Sequence, residues 1–185
     1  MSRKIIVLIG PPCSGKSTIG KIVACKMPST HYISSGDIAR KMAEQSDTVK
    51  HDLDSGRLAP ELKMRQNVLT TLKSAFSHNQ TVILDGFPRF YDQLKWLRQM
   101  VPSDIDIHYI MVYAKLSIII ERSNARGRSD DKSLQQRLDY YYNTTLKDLQ
   151  SYIEYVINTE ALSVDECVES VMKYINLIKE VTNNA

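Results

Sequence analysis

Hydrophobic positions along the chain follow two alternating patterns. Lys4 to Ile9 is an apolar, β-branched run that stops at Gly10, the mark of a strand buried on both faces. Ser17 to Met27 then carries Ile19, Ile22 and Val23 at helical spacing, with Pro28 beyond its end. Strand-like runs recur at His31 to Ile33, Thr81 to Leu84, Ile107 to Val112 and Tyr155 to Asn158. Helical patterns recur from Pro60 to Ser77, where Leu62, Val68, Leu69, Leu72 and Phe76 are available for burial, and from Gln93 to Met100. Others start at Leu116 and at Leu134, the second a long stretch to Val156 with a break, and Val164 to Lys179 closes the chain. Ser35 or Asp37 is placed to cap the helix after the second strand, and Ser163 with Glu166 has capping-box spacing. Five strands interleaved with helices predict a three-layer α/β/α domain on a five-stranded parallel sheet. Such sheets bind ligands at the carboxyl ends of their strands.

Composition narrows the classes. The chain has 185 residues, 43% of them hydrophobic and 24% charged, which suits one packed domain. A net charge of +3 is mild for this length and excludes a strongly basic nucleic-acid binder. Cys13, Cys25 and Cys167 form neither a disulfide framework nor a zinc pattern, so reduced thiols in a cytoplasmic protein are expected. The start lacks a signal-peptide layout and no apolar run is long enough to span a bilayer. The expected partners are small anionic molecules, with neither nucleic acid nor membrane, and the expected state is a monomer.

The strongest motif is Gly10-Pro11-Pro12-Cys13-Ser14-Gly15-Lys16-Ser17, a full G-x-x-x-x-G-K-[ST] match between a buried-type strand and an amphipathic helix. Its glycines let the backbone curl so that successive N–H groups point at phosphate oxygens. The helix that follows adds its positive end. Lys16 is suited to reach the β- and γ-phosphates of a nucleoside triphosphate, and the Ser17 hydroxyl to ligate Mg2+. The motif predicts a P-loop NTPase fold without choosing between kinase, switch and motor. Asp85, at the end of a β-branched strand, can hold the metal through water, although an acid there also fits a plain β-turn.

Further segments choose between these classes. Ser34-Ser35-Gly36-Asp37-Ile38-Ala39-Arg40, Gly56-Arg57-Leu58-Ala59-Pro60, Asp85-Gly86-Phe87-Pro88-Arg89 and Arg128-Ser129-Asp130-Asp131 follow the phosphate loop in order. Together, from Lys4 to about Ile175, they resemble the adenylate kinases and UMP/CMP kinases. The resemblance implies a core of 1–33, 63–121 and 132–185, a monophosphate-binding insertion at 34–62 and a short lid at 122–131. It places Gly10 to Thr18 around ATP, with Arg122 stacked on its adenine and Arg126 on its phosphates. Arg40 and Arg89 take the role of a monophosphate clamp, since a guanidinium fork grips phosphate bidentately. Ser35, Gly36, Gly56, Arg57, Leu58, Gly86 and Phe87 frame the acceptor nucleotide. Arg128 and Arg137 join Lys16, Arg89 and Arg126 at the transferring phosphoryl group. Gln93 lies four positions after Arg89, where adenylate kinases read adenine with a glutamine and UMP/CMP kinases usually carry asparagine.

The implied activity is phosphoryl transfer from ATP-Mg to AMP, with UMP, CMP or a deoxynucleotide as the alternative acceptor. Taken alone, the arginine-rich run from Arg122 to Arg128 also reads as a solvated surface, and Gln93 as an exposed helix glutamine. The rival class is a non-catalytic or slowly cycling nucleotide-binding module. No N/T-K-x-D base-reading signature of a GTPase is present. Only one glycine separates Arg126 from Arg128, so the lid is shorter than the family's short lids.

Overall fold

The structure, a computed structural model, describes residues 3–127 and 133–183. Arg128, Asp130 and Asp131 lie outside the described residues, as does the rest of the segment 128–132. Five strands form one sheet: β1 (Arg3–Ile9), β2 (Thr30–Ser34), β3 (Thr81–Asp85), β4 (Ile105–Tyr113) and β5 (Tyr155–Asn158). Their order is β2-β3-β1-β4-β5 and every pairing is parallel. Each predicted strand is present: β5 as expected, and the others extended by one to three residues where apolar or polar neighbours continue the ladder.

The two-residue period of a strand sends alternate side chains to opposite faces. Ile5, Val7 and Ile9 join Val82 and Leu84 on one face. There they pack against α4 (Glu61–Phe76) through Val68 and Leu72, and against α5 (Tyr91–Met100) through Leu94 and Leu97. Ile6 and Leu8 join Ile83, Ile110 and Ile157 on the other face. These meet α1 (Lys16–Lys26) through Ile19 and Val23, and α9 (Val164–Asn183) through Val168 and Val171. A sheet covered on both sides explains why its strands read as continuous apolar runs rather than as alternation.

Outside this frame, α2 (Ser35–Glu44) and α3 (Asp47–Asp54) form a helical pair between β2 and α4. α6 (Leu116–Arg126) follows β4. Three expectations are corrected. The cap of α2 is neither Ser35 nor Asp37 but Ser34, whose hydroxyl accepts from the Asp37 N–H at 3.1 Å. Leu62 is 75% exposed and Leu69 half-buried, because α4 buries the stripe Met64, Val68, Leu72 and Ala75. The helix expected from Leu134 to Val156 has its break, a π turn over Tyr141–Thr145 between α7 (Leu134–Tyr140) and α8 (Leu146–Leu149), but it ends short of Val156 in a 3₁₀ turn over Gln150–Tyr152. The expected box at α9 is present: the Ser163 N–H donates to Glu166 at 2.8 Å, and Ser163 Oγ accepts from the Glu166 N–H at 3.3 Å.

Candidate active site

The carboxyl ends of β1, β2 and β3 open into one cleft. β1 delivers the phosphate loop, where Gly10, Cys13 and Gly15 have φ of 157°, 61° and 101°. A side chain at Gly10 would meet the Val112 carbonyl oxygen at 2.2 Å, so the loop's close approach to β4 requires glycine there. Lys16 Nζ donates to the carbonyl oxygens of Gly10 (2.8 Å) and Pro11 (2.6 Å). Burial lowers the Lys16 pKa to about 8; the Asp85 carboxylate opposes this, while Arg89 and Arg137 add to it. The ammonium is therefore held where a polyanion would restore its charge.

β3 ends at Asp85, only 4% exposed. Its Oδ2 accepts from Ser17 Oγ at 2.6 Å and from the Tyr32 hydroxyl at 2.7 Å. Burial, followed by the charge of Asp85, pushes the Tyr32 hydroxyl pKa far up, so it stays a donor. Space for the Tyr32 ring comes from Gly20 on α1, where an added Cβ would lie 2.7 Å from the ring. Alanine at Gly20 is expected to lower the unfolding midpoint by about 3–10 °C in calorimetry, the range for overpacking by roughly 1–3 kcal/mol in a domain of this size. Tyr32→Phe keeps the ring and loses only the hydroxyl, so it should lower the midpoint less.

After Asp85, Gly86 (φ 76°) turns the chain. A Cβ there would strike the Ser35 hydroxyl at 2.7 Å. Arg89 Nε donates to the Gly86 carbonyl at 2.8 Å, which fixes the guanidinium over the turn. Arg40 pairs with Asp37 one turn earlier on α2. Arg40, Arg89, Arg126 and Arg137 all line the cleft that holds Lys16, Ser17 and Asp85. Gly10, Pro12 and Cys13 line it as well, together with Ser35, Gly36, Gly56, Leu58 and Gly86.

Two further recesses adjoin the cleft. One is lined by Gly15, Thr18, Arg122 and Arg126, together with Thr159, Leu162 and Val164. The other is lined by Arg57, Leu58, Phe87, Arg89 and Gln93. Pro11 and Ser14 are buried within the loop and line none of the three spaces. The other sequence-predicted residues fall into one cleft and its two recesses, apart from Arg128, which lies outside the described residues. Gln93 is not an exposed helix residue: it is 3% exposed and faces the second recess.

The model of the family described as adenylate kinase matches residues 8–157. The chain is 31% identical to the adenylate kinase of Nautilia profundicola over 81% of its own length and 82% of that protein's. It is 29% identical to the adenylate kinase of Corynebacterium urealyticum over 90% and 96%, and 30% identical to that of Mycobacterium leprae over 87% and 93%. The chain belongs to the adenylate kinase family.

Within this adenylate kinase scaffold, sequence reading missed several residues. Thr159, just past β5, donates to the Ser14 carbonyl at 2.9 Å. It also accepts from Arg122 Nη1 at 2.9 Å, while Arg122 Nη2 donates to the Thr159 carbonyl at 2.8 Å. It therefore ties α6, β5 and the phosphate loop together. Tyr140 and the buried Tyr141 both line the cleft, whereas Tyr142 is exposed. Thr159 had only one signal in the sequence, a hydroxyl just past the carboxyl end of a strand, and Tyr32, in the middle of β2, had none. Ser17 and Asp85 supply hard oxygens 2.6 Å apart beside the loop, a donor set that fits Mg2+. Among the described residues no cluster of three or more His, Cys, Asp or Glu side chains could hold a metal, and no helix is long and apolar enough to cross a membrane.

Proposed function

We propose that the chain catalyses reversible phosphoryl transfer from ATP to AMP, giving two ADP. The carrying observation is the convergence of Arg40, Arg89, Arg126 and Arg137 with Lys16 on a single cleft beside a phosphate loop. Five cationic side chains along one cleft make it attractive to polyanions. One triphosphate on the loop and one monophosphate opposite it account for them.

In this reading the bond between the γ-phosphorus of ATP and its bridging oxygen breaks, and the electron pair stays on the ADP oxygen. An AMP phosphate oxygen, already anionic, forms the new bond and needs no strong base. Lys16 holds the β- and γ-phosphates while Arg40 and Arg89 grip the acceptor phosphate. Arg126 and Arg137 neutralise the charge that spreads over the moving group. Ser17 and Asp85 would hold the Mg2+ that accompanies ATP and supplies further charge neutralisation. The recess at Arg122 and Thr159 takes the donor adenine, and the one at Leu58 and Gln93 the acceptor adenine. The buried Ser35 hydroxyl, which has no hydrogen-bond partner among the described residues, supports an acceptor nucleotide at its side of the cleft. The segment 34–62 acts as the monophosphate-binding insertion and 122–131 as the lid, between core segments 1–33, 63–121 and 132–185. The protein works as a cytoplasmic monomer.

A coupled assay of ADP formation with AMP, UMP, CMP, GMP and dAMP tests this. The expected result is a kcat/KM for AMP at least about tenfold above that for any pyrimidine monophosphate. Turnover with none of the five would favour a nucleotide-binding module.

A further inference from the structure

A primary amide can read a purine in either of two orientations. With Oε1 facing the purine 6-position and Nε2 facing N1, it accepts from the 6-amino group of adenine and donates to N1. Turned over, it donates to a 6-keto oxygen and accepts from an N1–H, the pattern of hypoxanthine and guanine. A lone buried glutamine would therefore discriminate poorly between the two classes. Gln93 is not alone. Its Oε1 accepts from the backbone N–H of Arg89 at 2.7 Å, and its Nε2 donates to Glu61 Oε2 at 2.7 Å. The first partner can only donate and the second, as a carboxylate, can only accept. Glu61 is itself held by Arg65, one helical turn on, whose guanidinium lies over the Trp96 ring.

We propose that Glu61 is a positioning residue for base specificity: it locks the Gln93 amide in the orientation that reads a 6-amino purine and rejects a 6-keto one. The inference rests on the AMP reading above. Turning the amide over would set Oε1 against the carboxylate and the amino group against the Arg89 N–H, breaking two hydrogen bonds and creating two like contacts at a site 3% exposed. The locked amide keeps one N–H and one lone pair in fixed order for the base. The lock needs an acceptor at position 61, which the Glu61 carboxylate supplies through Oε2.

AMP and IMP differ in this edge alone and make the decisive pair. The parent is expected to prefer AMP in kcat/KM by about 10³-fold or more, since a buried polar pocket rejects a mismatched edge strongly. Glu61→Gln can donate as well as accept, so one of the two locks is gone. Its AMP/IMP ratio should fall about tenfold or more, chiefly through better use of IMP, and the same change should appear in the ratio of calorimetric Kd values. Arg65→Met removes the neighbouring ion pair but leaves Glu61, so its ratio should stay within about twofold of the parent's. If Glu61→Gln does not fold, Glu61→Asp, one methylene short of Gln93, reads the same ratio. An unchanged ratio in a folded Glu61 variant that still uses AMP would overturn the lock. A parent that uses no monophosphate would instead overturn the assignment of function.

Discussion

Arg89→Lys is expected to lower kcat/KM about 10²-fold while the protein stays folded. The side chain is held at its root, with Nε on the Gly86 carbonyl at 2.8 Å, and its backbone N–H is tied to Gln93. Gly86 lacks a Cβ, and the position one would take is 3.5 Å from Arg89 Nη2, so the turn leaves room for a planar fork. Lysine keeps the positive charge but has no second coplanar donor and cannot make the Nε contact with Gly86 while reaching the cleft. A charge-assisted hydrogen bond contributes roughly 1.5–3 kcal/mol, and losing one from a bidentate grip in the transition state corresponds to about 10- to 150-fold. Steady-state kinetics with both substrates, alongside circular dichroism, check this; kinetics within twofold of the parent would remove Arg89 from the site.

The second large effect concerns Lys16. Lys16→Met is expected to cost about 10²- to 10³-fold in kcat, the usual loss when a preorganised donor to developing charge is removed. The parent's pH dependence should carry the same signature. Burial holds the ammonium at about 8, so the free protein keeps it fully charged only below that pH. ATP favours the charged form. Its Kd should therefore be flat below pH 7 and weaken towards tenfold per unit above pH 8, with proton uptake on binding. The sign for folding is opposite. A lysine with a lowered folded-state pKa opposes folding most below pH 8, and that penalty is relieved between about 8 and 10.5. Calorimetry in buffers of different ionisation enthalpy reads the proton uptake directly; a Kd constant from pH 7 to 9.5 would contradict it.

What the sequence made legible and what it hid divide by the distance between interacting residues. The phosphate loop is contiguous, so strand, turn and helix signals sit side by side at residues 4–27. The arginines reached the site only by resemblance, since nothing local to Arg40 or Arg137 distinguishes a cleft residue from a solvated one. Contacts between remote segments left no trace: Tyr32 with Asp85, Glu61 with Gln93, Thr159 with Ser14. They exist because parallel strands bring their carboxyl ends to one edge. Leu62 was misjudged for a simpler reason. The apolar residues of α4 fit two neighbouring stripes, and the sheet takes the one through Val68 and Leu72. Ser34, the cap of α2 in place of the expected Ser35 or Asp37, carries the same hydroxyl as Ser35, and the extra residue at the end of β2 brings it to the cap position.

The π turn at Tyr141–Thr145 carries a consequence for how this protein tolerates insertions. On one side of it stands Arg137, facing the cleft, and on the other Leu149, fully enclosed in the core. Each residue of a helix advances the chain by about 100°. The surplus residue in that turn acts as a gear tooth: it sets the angle between an anchored leucine and a phosphate-facing guanidinium. Chain length can drift in the segment between α6 and α7 without touching this setting. One residue gained or lost between 137 and 149 would swing the charge about a quarter-turn off target, so natural indels should fall before that interval and not within it.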